Sequence, residues 1–169
     1  IETERRRAAS QLHIETTRRD TSPTLRYTCW GTMKGGCMTR QATIERSLEL
    51  WAERSGDPAA AVYARLFALK PEFERLFALD RTGAVRGNML TVALDAILDI
   101  AGPNAWGMNF LLAERVNHSG VNVPDTEFLL FVSAIRDTAR DALSAEWTDV
   151  FDGAWDSVIG EIEAACAVE

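Results

Sequence analysis

The sequence predicts an all-α fold. Three observations carry that expectation: from Thr43 onward apolar residues recur at helical spacing, proline and glycine punctuate the recurring segments, and no window alternates as a half-buried strand does. Six or seven helices follow.

In the first, Ile44, Leu48 and Trp51 form one apolar stripe. Ser55-Gly56-Asp57-Pro58 then supplies a glycine stop, a new N-cap and a proline at the first helical position. The second helix, Pro58 to about Leu69, carries Val62, Tyr63, Leu66 and Phe67, and Lys70-Pro71 turns the chain into a short third helix ending at Phe77. After the polar link Asp80-Arg81-Thr82-Gly83, the segment from about Ala84 to Ile100 is apolar on more than one face (Met89, Leu90, Val92, Leu94, Ile97, Leu98), which predicts a central helix. Ala101-Gly102-Pro103-Asn104 separates it from a helix running to about Asn117, so His118 falls at a helix C-terminus. Pro124 and Asp125 open a long helix with Phe128, Phe131, Val132, Ile135 and Ala139 on one side, and a last helix from about Thr148 carries Val150, Phe151, Ala154, Trp155, Val158, Ile159 and Ile162.

A chain of 169 residues is the size of one domain. Residues 1–40 differ from the rest: eight Arg/Lys against four Asp/Glu give +4, which leaves −11 on residues 41–169 of a total of −7. They show no sustained period and read as a basic, disordered arm ahead of a folded domain at 41–169. Because the chain opens on Ile1 and Met38 stands just before the first periodic segment, the arm is either a genuine tail or no part of the native folding unit. Net negative charge argues against nucleic-acid binding. No apolar run approaches the ~20 residues of a membrane span, and no secretory signal pattern follows Arg5-Arg6-Arg7, so a cytoplasmic protein without a membrane partner is expected. The three cysteines, Cys29, Cys37 and Cys166, include no C-x-x-C pair and read as free thiols.

The stretch Arg115–Pro124, RVNHSGVNVP, holds one of two histidines in the chain. On position alone, a single histidine beside apolar residues is more often structural than a ligand, and a cation also suits a helix C-terminus. No partner stands near it in sequence for a protein-only zinc or di-iron cage. One imidazole suits a cofactor that brings its other ligands, and haem is such a cofactor, since the porphyrin supplies four nitrogens.

Several segments together resemble the globin family, specifically the bacterial single-domain and flavohaemoglobin-type globins. The run YARLFALKPEFERLF, residues 63–77, is similar to that family's distal second helix, the proline opening its third, and the corner phenylalanine that packs on haem: Tyr63, Pro71 and Phe77 keep the spacing. His118 matches the proximal ligand, Val123 the valine touching the porphyrin, and Ala154-Trp155 a pair in the last helix. The resemblance covers about residues 43–165. It implies a globin fold of six to eight helices around a haem b pocket, with His118 on the iron. Arg86 falls at the distal gate and Leu90 one turn later over the iron, with Gly87 the alternative gate because the link after Phe77 is about one residue short. Phe128 takes the place of a tyrosine that, with a glutamate falling near Glu169, supports the proximal histidine in nitric-oxide-consuming relatives. Glu114 stands where an apolar residue is usual.

The function so implied is reversible binding of dioxygen or a related diatomic gas, with Tyr63 donating a hydrogen bond of roughly 1–3 kcal/mol that slows oxygen release about tenfold to over a hundredfold. Storage or delivery, nitric-oxide detoxification and sensing are all open; because no G-x-G-x-x-G reductase signature is present, detoxification would need an external reductase. An apolar helix face left exposed would serve a homodimer. The other class of function is a haem-free globin-fold sensor or interaction module, its pocket filled by side chains.

Overall fold

The computed structural model describes residues 32–33 and 36–167. Its helices are α1 (Arg40–Arg54), α2 (Pro58–Leu69), α3 (Ala84–Ala101), α4 (Trp106–Ser119), α5 (Asp125–Phe128), α6 (Leu130–Leu143) and α7 (Asp149–Cys166), with 3-10 segments at Pro71–Phe77 and Ser144–Glu146. All-α is therefore the class, with one departure from a strand-free expectation. Thr32–Met33 (β1) and Gly36–Cys37 (β2) form a two-residue antiparallel ladder, Thr32 opposite Cys37 and Met33 opposite Gly36. A pair this short has no alternation to read, which is why no sequence period announced it. Most of the basic arm, Cys29, and the position of Glu169 lie outside the described residues. No helix among the described residues is long and apolar enough to cross a membrane.

Local chemistry sets the boundaries. Thr39 accepts from the Ala42 amide at 3.2 Å, so α1 begins at Arg40 rather than Thr43. Arg40 then leaves the expected arm and becomes a clamp: its guanidinium donates to the carbonyls of Ile100 (2.6 Å) and Ala101 (3.2 Å), satisfying the C-terminal end of α3, and pairs with Glu161 of α7. Asp57 caps α2 ahead of Pro58, as its sequence suggests. The Pro71–Phe77 segment winds as a 3-10 helix instead of an α-helix, a common choice for a connector between two longer helices.

Gly83 takes the left-handed conformation (φ 76°) and carries no side chain to cap α3. Asp80 does so from three residues upstream, its two carboxylate oxygens each accepting at 3.1 Å from the amides of Val85 and Arg86. The long helix expected after Pro124 is interrupted at Leu129, a one-residue break between α5 and α6.

The core sits where α3, α1, α6 and α7 meet, with Ile44, Ala96, Ile97, Ile135, Ala154 and Trp155 fully buried. Trp155 satisfies its buried indole N–H on Ser47 Oγ of α1 at 3.1 Å, tying the last helix to the first. At the α3–α4 crossing a Cβ on Gly107 would clash with the Ala96 carbonyl oxygen and lie 3.0 and 3.1 Å from that residue's carbonyl carbon and Cα, so glycine lets the two backbones touch. That close crossing fixes the α4 helix, and the histidine at its end, against α3.

Candidate functional site

Between α2, the 3-10 segment, α3, α4 and α6 lies a mainly apolar cavity of about 610 Å³, a volume within the usual range for a small-molecule or cofactor site. Tyr63, Phe77, His118, Val123 and Phe128, five of the seven residues singled out from sequence, line it.

The α2 side is aromatic. Tyr63 sits with its ring centroid 5.1 Å from Phe77 and 5.2 Å from Phe131, and Phe67 packs behind both Tyr63 and Phe77 at 5.7 Å. Only 1 % of Tyr63 is exposed, and its hydroxyl has no hydrogen-bond partner among the described residues. Burial pushes its phenol well above the usual tyrosine range, with nearby Arg86 acting downward and Asp80 upward. The group is thus a neutral O–H donor at any ordinary pH, buried in the wall of the cavity with no described residue accepting from it. An unpaired buried hydroxyl is costly enough that it asks for a ligand.

His118 lines the same cavity from the end of α4. Its Nδ1 lies 2.7 Å from the Glu114 carbonyl oxygen. A carbonyl accepts only, so Nδ1 carries a proton, and in the neutral ring Nε2 holds the free lone pair. The ring is steadied further by Phe128, edge-on at 5.2 Å. Val121 and Val123 both return amides to the His118 carbonyl, at 3.0 and 3.1 Å, folding the loop back under the histidine and burying Val123. No group of three or more His, Cys, Asp or Glu able to hold a metal occurs among the described residues. His118 is the one imidazole among the residues that line the cavity, fit to give one ligand to a centre that brings the rest.

Arg86 and Leu90 are placed elsewhere. Arg86 forks back onto Asp80, Nε to the carboxylate at 3.0 Å and Nη2 to the carbonyl oxygen at 3.1 Å, and does not line the cavity. Leu90 is core, 3 % exposed. Gly87 does not line the cavity either; α3 turns Val85, Asn88, Met89, Val92 and Ala93 toward it. A helix apolar nearly all round has no stripe to mark its register, so the pattern alone does not select this face. Phe73, Phe110 and Phe131 complete the wall, of which Phe131 alone was legible, as part of its helix's apolar side.

No family model matches the chain, and no curated protein does.

Three carboxylates reach the cavity, Asp80, Glu114 and Glu127. Asp80 is neutralised by Arg86 and Glu127 by Lys70 across the helices. Desolvation works to raise the Asp80 pKa, but the amides of Arg86 and Val85 and the Arg86 guanidinium outweigh it and hold the carboxyl below its ordinary value. Chemically the site offers an apolar slot, one imidazole Lewis base on one wall and one neutral hydrogen-bond donor on another.

Proposed function

We propose that this chain is a globin-fold protein that holds haem b through His118 and reversibly binds dioxygen or a related diatomic gas beside Tyr63. The observation that carries the reading is the pairing of an imidazole presenting Nε2 and a buried, unpartnered phenol in one apolar cavity of about 610 Å³. The residues fit the group. A lone imidazole suits a porphyrin that fills four positions of its own metal, and Phe77, Val123, Phe128 and Phe131 offer flat or branched apolar surface for a macrocycle. Haem, when bound, supplies an iron with one position left for a gas.

The protein's own residues do the rest. His118 is held in a single tautomer by the Glu114 carbonyl, so Nε2 is ready to ligate without reorganisation. Tyr63 would offer a hydrogen bond to a polar diatomic ligand, and its ordinary acidity is suppressed by burial so that the proton stays in place. Phe77 and Phe131 pack against the Tyr63 ring and help bury that donor. The open cavity supports this reading over a haem-free module whose pocket is filled by side chains.

Reversible gas binding is tested by loading the chain with hemin, reducing it, and cycling dioxygen while following the visible spectrum. Repeated, fully reversible spectral change is expected; prompt irreversible oxidation would count against a carrier or sensor. Mixing the oxygenated protein with nitric oxide and a reductant separates the roles, because detoxification requires multiple turnovers to nitrate, and storage does not.

A further inference from the structure

The third cavity carboxylate is unlike the other two. Asp80 and Glu127 each face a cation, whereas Glu114 faces the histidine: its Oε2 lies 3.7 Å from His118 Nδ1, while its Oε1 accepts from Asn117 Nδ2 at 3.0 Å. One turn of α4 separates the two residues, so the same glutamate presents its carbonyl at hydrogen-bond distance and its carboxylate just beyond, both on the Nδ1 side of the ring. A carboxylate there draws the Nδ1 proton outward and pushes electron density toward Nε2.

We propose that Glu114 is a positioning residue for His118: its carboxylate, held by Asn117, fixes the imidazole and strengthens Nε2 as a donor to the metal. This rests on the haem reading above and adds to it a control of how strongly the iron is bound and how electron-rich it becomes. The backbone carbonyl alone would fix the tautomer. The carboxylate supplies the charge that a carbonyl lacks.

The test uses the full chain loaded with hemin and reduced, with the iron–imidazole stretching band read by resonance Raman in wild type, Glu114→Gln and Asn117→Ala. Glu114→Gln keeps the shape and the backbone carbonyl but removes the charge. It is expected to move the stretch to lower frequency, raise the iron's reduction potential, and weaken hemin affinity by roughly tenfold. Asn117→Ala keeps the charge but frees the carboxylate, and is expected to shift the band part of the way. An unchanged band and potential in both variants, with wild type showing a normal stretch, overturns the role of Glu114 while leaving haem binding in place. Absence of a Soret band in wild type overturns the haem reading itself, and the proposal with it.

Discussion

Tyr63→Phe should act in opposite directions on the empty and the gas-bound protein. In the protein without ligand the Tyr63 hydroxyl is buried and has no partner among the described residues, a state that costs about 1–3 kcal/mol relative to a satisfied or absent hydroxyl. Phenylalanine keeps the ring contacts to Phe77 and Phe131 and removes the unpaired oxygen, so the haem-free fold should gain roughly 1–2 kcal/mol in urea unfolding. Under the proposed function the same oxygen is the donor to the bound gas, and its loss of about 1–3 kcal/mol should speed oxygen release about tenfold to over a hundredfold in stopped-flow. The phenol also leaves a signature in alkali. Above pH about 10 the unfolded chain releases this proton while the fold retains it, because burial has raised the native pKa. The folded state then binds more protons, so stability falls as pH rises, by up to about 1.4 kcal/mol per pH unit. That component should vanish in the variant. A Tyr63→Phe protein less stable than wild type near neutral pH, with oxygen release unaltered, would refute the reasoning: the hydroxyl would then have a protein partner and no ligand to serve.

Two predictions concern the scaffold that brings the walls together. Gly107→Ala drives a methyl group into the Ala96 backbone at the α3–α4 crossing and should destabilise by about 3 kcal/mol or more in chemical denaturation, whereas Gly160→Ala, with nothing within 4 Å of the added carbon, should stabilise by about 0.5–1 kcal/mol; equal stabilities for the two would mean the helices do not touch there. Asp80→Asn weakens the α3 cap and the Arg86 pair, and because the native pKa of Asp80 is depressed, its contribution is present above the unfolded value near pH 4 and lost as pH falls through the native one. The gap between wild type and variant in thermal melts should therefore close below pH about 4, and a gap independent of pH would show that the charge is not what holds the cap.

Helix order is readable because punctuation is local. Asp57-Pro58, Pro71 and Pro124 act through one residue's dihedral angle or one cap, and each stands at or beside an observed boundary. The histidine end of the cavity is readable for a similar reason, since Val123 and Phe128 follow His118 in one continuous stretch. The α3 wall is not. Its rotation is set by Asp80 reaching forward to cap Val85 and Arg86 and by Gly107 admitting Ala96, and neither contact leaves a trace in the apolar pattern, so the pattern does not single out Asn88, Met89 and Val92 as the residues that line the cavity. Arg40 reads as part of the arm because its partners, the carbonyls of Ile100 and Ala101, lie far along the chain at the end of α3. The proximity of Glu114 to the ring follows from helical spacing; which of its two kinds of oxygen takes the Nδ1 proton required coordinates.

Titration of the chain with hemin, followed at the Soret band for wild type and His118→Ala, bears most directly on the central claim. Wild type should saturate at one equivalent with the band of an imidazole-ligated haem. The alanine variant, folded by its helical circular dichroism, should lose that band or show it altered and much weakened. No Soret band in wild type, or one identical in His118→Ala, would contradict the account.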